Sequence, residues 1–98
     1  MKNADSTLTI TPAELKKCLD QVILIDVREP SEFETGHLPG AKHIPLGEIS
    51  RRAETELNKE DPIILYCAHG VRSFNALMIL KNLGFKNLKS LTGGIASW

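Results

Sequence analysis

Two apolar runs constrain this chain most: Val22-Ile23-Leu24-Ile25, broken only by Asp26 before Val27, and Ile63-Ile64-Leu65-Tyr66. A strand with one wet face alternates apolar and polar residues; these do not, so each must be covered on both faces, as in a parallel sheet between helical layers. The rest of the chain supplies the layers. Thr11-Pro12-Ala13-Glu14 has the cap, the proline and the capping-box acid of a helix start, and the spacing predicts a helix to about Leu19 with Leu15, Cys18 and Leu19 on its apolar face. Cys18 is therefore expected in the core. Pro30–Thr35 reads as a short helix stopped by Gly36, followed by a turn over His37–Gly40 and a short strand over Ala41–Pro45. Ile49, Ala53 and Leu57 mark one further helical face, and Ala76, Ile79, Leu80 and Leu83 another, in a helix expected over Phe74–Leu83 and ended by Gly84. With short strands at Leu8–Ile10 and around Leu88 and Leu91, the expected fold is α/β, with three layers and a mainly parallel central sheet flanked by helices. Its 98 residues make one domain, 1–98.

Composition narrows what such a domain can do. Lys plus Arg equals Asp plus Glu at 12 each, so no overall field favours nucleic acid or an anionic membrane. The run Arg51–Glu56 reads as a solvated helix face. Met1–Ser6 is polar with no apolar stretch behind it, which predicts neither a leader nor a membrane span, and so a cytoplasmic location. In that reducing setting Cys18 and Cys67 are expected as thiols, although spacing alone leaves a disulfide between them open. His37, His43 and His69 lack any recurrent ligand spacing, so no metal is expected. Asp26, at the end of a buried strand, needs donors, which Arg28 or loop N–H groups can supply.

Chemistry concentrates at Cys67. It ends the second apolar run, and Ala68-His69-Gly70-Val71-Arg72-Ser73 leads from it into the last long helix. In open sheets of this kind ligands bind at the carboxyl ends of strands, and a helix N-terminus offers free N–H groups that favour a thiolate or bound anion. Gly70 permits close backbone approach, His69 and Arg72 bring donors, and Ser73 suits the cap of the following helix. The competing reading, a small core cysteine on an ordinary strand-to-helix turn, loses ground because all these features converge on one thiol.

Three blocks resemble the rhodanese family of single-domain sulfurtransferases, and together they cover nearly the whole chain. They are Ile25-Asp26-Val27-Arg28-Glu29 with Glu32, Phe33, Gly36–Ala41 and Ile44-Pro45; Cys67–Ser73; and Leu91-Thr92-Gly93-Gly94-Ile95-Ala96-Ser97-Trp98. The resemblance implies a thiosulfate sulfurtransferase that carries a sulfane sulfur as a persulfide on Cys67. Ala68, His69, Gly70, Val71, Arg72 and Ser73 would bind the substrate, no cofactor would be required, and cyanide would serve as the assay acceptor. It implies small-molecule sulfur donors and acceptors, with a sulfur-accepting protein as a further partner, and a terminal helix following Trp98. Asp26, Arg28, Glu32 and His37 match signature positions and read chiefly as support for the fold and the neighbouring loops. Two alternatives stay open: a cysteine phosphatase or arsenate reductase of similar scaffold, and a relay or docking module that acts only with a protein partner. Phosphatases of that kind place five residues between cysteine and arginine, whereas four separate Cys67 from Arg72, a tighter cradle better matched to one extra sulfur. Ala68 stands where many relatives carry a basic or bulkier side chain, which weakens the expected attraction for thiosulfate.

Overall fold

The computed structural model describes residues 8–98. The expectation for Met1–Ser6 lies outside them. Five parallel strands, β1 (Thr9–Ile10), β2 (Ile23–Asp26), β3 (Lys42–His43), β4 (Pro62–Tyr66) and β5 (Asn87–Leu91), form one sheet in the order β1-β5-β4-β2-β3. Four helices connect them: α1 (Pro12–Cys18), α2 (Pro30–Glu34), α3 (Ile49–Glu56) and α4 (Val71–Asn82).

The central strand shows why the apolar runs lack alternation. Along β4, Ile63, Leu65 and the following Cys67 pack with Ile49 and Ala53 of α3 and Ala76, Leu77 and Leu80 of α4. Ile64 and Tyr66, between them, point the other way and pack with Ile10, Leu15 and Leu91. Successive side chains of a strand face opposite sides, so two apolar cores require an unbroken apolar run. Each fully buried Leu or Ile contributes roughly 2 kcal/mol relative to its exposed state, which fixes the register of every central strand.

The predicted architecture is the observed one, with local differences that have clear causes. The capping box at Thr11 and Glu14 forms as expected, but α1 ends at Cys18 and the chain continues as a 3-10 turn over Leu19–Gln21. Cys18, as the last α-helical residue, lies half-buried at the margin of the second core and is not a core residue. Helix α4 starts three residues earlier than expected, at Val71, because Gly70 in a left-handed conformation turns the chain there. Leu57 falls just outside α3, in extended backbone, yet still packs on the first core.

Register brings two loops together. Asp26 pairs with Tyr66, so β2 and β4 end level with each other. From there the chain leaves β2 toward the edge strand β3 and leaves β4 toward β5 on the other side. A crevice opens at the carboxyl ends of strands where connections diverge in this way. Cys67 directly follows β4 at this divergence.

Candidate active site

Cys67 follows the central strand directly, and its side chain is 1% exposed. Its sulfur sits among donors. The Gly70 N–H reaches it at 3.1 Å, the Ser73 N–H at 3.3 Å, and the Ser73 hydroxyl lies 3.5 Å away. These N–H groups point at the sulfur because the loop closes on itself. Gly70 has φ of +110°, a value L side chains rarely adopt, and the turn it makes starts α4 with the first N–H groups facing back toward β4. Burial pushes the thiol up, but the Ser73 hydroxyl and the N–H groups of Ser73, Gly70 and His69 outweigh it, so Cys67 ionises below the ordinary cysteine range.

Ser73 differs from its expected role. It is the third residue of α4 and does not cap it; the N-cap is Gly70, with no side-chain cap bond. Its buried hydroxyl turns inward instead, 3.2 Å from the Gly70 carbonyl oxygen. The remaining loop side chains diverge. His69 and Val71 are exposed, with Val71 72% accessible, and both line a cavity beside the loop with Phe74, Asn75, Thr92 and Gly93. Ala68 is half-buried, and its carbonyl accepts the Ala96 N–H at 3.1 Å.

Arg72 meets Glu32, forty residues away in sequence. Its Nη1 and Nη2 donate to the two carboxylate oxygens at 2.8 and 3.0 Å. This fork-on-fork pair holds the Glu32 carboxyl at about 2, first through the Arg72 bonds and next through the Glu29 N–H. Glu32, expected to support the fold and the neighbouring loops, does so by holding Arg72 of the Cys67 loop. A second ion pair, Asp26 with Arg28, is buried. Asp26 is 0% exposed and receives the Arg28 N–H at 2.8 Å and its guanidinium Nη2 at 2.8 Å. The same Nη2 donates to the Gly36 carbonyl oxygen at 2.6 Å, tying the end of α2 to β2. Asp26 thus finds both kinds of donor expected for it.

The glycine pair near the end of the chain closes the site from behind. Ile95 N–H donates to the Cys67 carbonyl oxygen at 2.9 Å. Gly94, with φ of +64°, sits so close to the Cys67 and Ala68 carbonyls that a β-carbon would collide with both. Sequence reading recognised this block by its motif; the requirement for no side chain at Gly94 appears only when the two loops are brought together. Among the described residues, no three His, Cys, Asp or Glu side chains come together as a metal-binding group, and no helix is long and apolar enough to cross a membrane.

Comparisons with known proteins give the family and the fold. A family model described as a rhodanese-like domain matches residues 11–98. The chain is 39% identical over 100 residues to the putative sulfur carrier protein YrkF of Bacillus subtilis, covering 99% of this chain but 54% of that protein. It is 34% identical over 85 residues to the thiosulfate sulfurtransferase GlpE of Coxiella burnetii, covering 87% of this chain and 78% of that one. The human single-domain sulfurtransferase TSTD1 superposes with a TM-score of 0.87 at 26% identity, covering 92% of this chain and 93% of its own. The chain therefore spans about half the length of one such relative and most of the others.

Proposed function

The chain belongs to the rhodanese-like sulfurtransferase family, and on that premise we propose that it moves a sulfane sulfur from thiosulfate or a similar donor to a thiophilic acceptor through a persulfide on Cys67. The observation that carries the reading is the sulfur's setting: buried at the start of α4, with two N–H groups directed at it and the Ser73 hydroxyl within 3.5 Å. In the first step the Cys67 thiolate attacks the outer sulfur of thiosulfate; the new S–S bond forms as the old one breaks, and sulfite leaves with the electron pair. In the second, the acceptor attacks the outer sulfur of the persulfide and Cys67 leaves as thiolate. With cyanide the product is thiocyanate, and no cofactor or net redox partner is needed. The loop from Ala68 to Ser73 binds the donor, its N–H groups stabilising the anionic persulfide. Arg72 enters this scheme already paired with Glu32, so a donor anion shares its charge with that carboxylate. A reducing cytoplasm suits a resting thiol of this kind.

A second reading is favoured by the name of the sulfur carrier relative: the domain passes sulfur only to a protein partner. Thiocyanate production from thiosulfate and cyanide by the isolated chain tests both. Autonomous turnover that disappears in Cys67→Ser supports the enzyme; a persulfide formed without turnover supports the relay. Cys67-dependent hydrolysis of an aryl phosphate, with no thiocyanate, would overturn both in favour of phosphatase chemistry.

A further inference from the structure

Among the described residues, four polar or charged side chains are buried, and they form two pairs. Asp26 with Arg28 is the first. The second is Ser73 with Ser90, whose hydroxyl oxygens lie 2.7 Å apart. Ser90 belongs to β5, where Leu88 two residues earlier packs into the core beneath α4, so a serine occupies the face on which an apolar side chain is expected. Neither motif reading nor the loop itself points to it.

Counting hydrogens shows what Ser90 can do. A hydroxyl donates once and accepts twice. Ser73 faces three claimants: the Gly70 carbonyl oxygen at 3.2 Å, the Cys67 sulfur at 3.5 Å and the Ser90 hydroxyl at 2.7 Å. A carbonyl and a thiolate only accept, so the Ser73 hydrogen belongs to one of them only if Ser90 acts as the donor in the serine pair. The Gly70 carbonyl also accepts the Phe74 N–H at 3.3 Å, and it keeps a donor when the Ser73 hydrogen turns to the sulfur. Ser73 is 0% and Ser90 3% exposed, and of the two only Ser90 borders the cavity beside the loop, so water has little access to replace the Ser73 hydroxyl.

We infer that Ser90 is a positioning residue for the Cys67 nucleophile: by donating its hydroxyl hydrogen to Ser73, it directs the Ser73 hydrogen to the sulfur. This deepens the sulfur-transfer reading and rests on it for its biological purpose, but its test needs no sulfur donor. The decisive pair is Ser90→Thr and Ser90→Val, made in a Cys18→Ser background. The two side chains share a shape and differ in the hydroxyl, so a purely structural role moves both equally. The readout is the pH profile of Cys67 alkylation by iodoacetamide. The groups near the thiol, His69 of the loop, Arg72 of α4, Glu29 and Glu32 of the α2 segment, Tyr66 of β4 and the Asp26–Arg28 pair at the end of β2, are the same in every variant.

Ser90→Val should raise the midpoint and slow alkylation below it about three- to tenfold, the equivalent of about half to one pKa unit, with an unchanged plateau at high pH. Ser90→Thr should restore the parental profile. Coincident Thr and Val profiles would overturn the inference. Ser90→Ala adds no volume and covers the case in which the branched residues prevent folding: it must shift the midpoint in the same direction, and an unchanged midpoint there is equally fatal. If the shift is seen but the unmodified chain forms no persulfide with thiosulfate, Ser90 keeps its role and the functional reading fails.

Discussion

The two cysteines of this chain stand at opposite kinds of helix end. Cys18 is the last residue of α1, and its sulfur faces an acceptor, the Glu14 carbonyl oxygen at 3.6 Å. Cys67 precedes α4, and its sulfur faces donors from Gly70 and Ser73. A helix presents unpaired C=O groups at one end and unpaired N–H groups at the other, so the same residue type receives opposite electrostatic surroundings. Cys18 is also the more accessible of the two, half-buried against the 1% exposure of Cys67. Under the proposed mechanism, reactivity follows from the direction of the nearby peptide groups, and exposure alone would choose the other thiol.

The contrast can be broken most severely at Gly94. Alanine there meets the Cys67 and Ala68 carbonyls and takes a left-handed backbone, at a combined cost of about 2–4 kcal/mol. Sulfur transfer should fall by about a hundredfold or more as the loop is displaced, while the surroundings of Cys18 stay intact. Urea unfolding and thiocyanate assays check both parts; normal stability with normal turnover would remove Gly94 from the account of the site.

Glu32→Gln should have a smaller effect, limited to the Arg72 anchor. The pair is about one-third exposed, so solvent screening limits its worth to about 0.5–1 kcal/mol at neutral pH. The sign follows from the depressed carboxyl. Its stabilisation is present above the ordinary value of 4.5 and is lost as pH falls toward about 2. Urea unfolding at a series of pH values should therefore show parent and variant separated at neutral pH and converging through that acid window. A separation that persists at the acid end would mean that another interaction is responsible.

Smallest of all is Cys18→Ser, which removes one weak S–H contact at a helix end. Stability should stay within about 0.5 kcal/mol of the parent and turnover should be unchanged. A substantial loss of turnover would place Cys18 in the chemistry and remove the contrast altogether.

Much of the fold was legible because its signals are local or periodic. Unbroken apolar runs reported two covered faces, and Thr11-Pro12-Ala13-Glu14 reported a capped helix start that the structure contains. The placement of Cys67 between strand and helix was legible because a strand end, a glycine turn and a helix start fall in one segment. What escaped lies across sequence distance. Nothing local ties Glu32 to Arg72, Ser90 to Ser73 or Gly94 to Ala68; each pairing exists only after β2, β4 and β5 lie side by side. Ser90 did leave a trace, a polar residue two positions after Leu88 on a face that should be apolar. The misplaced cap at Ser73 has a related cause. A serine before an apolar helical stripe looks like an N-cap, but here the positive φ of Gly70 starts the helix earlier and turns the hydroxyl inward, onto the Gly70 carbonyl and beside the sulfur.

In the proposed reaction Cys67, and not Cys18, carries the sulfur. Intact-protein mass spectrometry after thiosulfate treatment tests it most directly, on the parent chain, Cys67→Ser and Cys18→Ser. The expected result is a single-sulfur adduct that cyanide removes, present in the parent and in Cys18→Ser and absent from Cys67→Ser. An adduct that survives in Cys67→Ser, or one lost in Cys18→Ser, would contradict it.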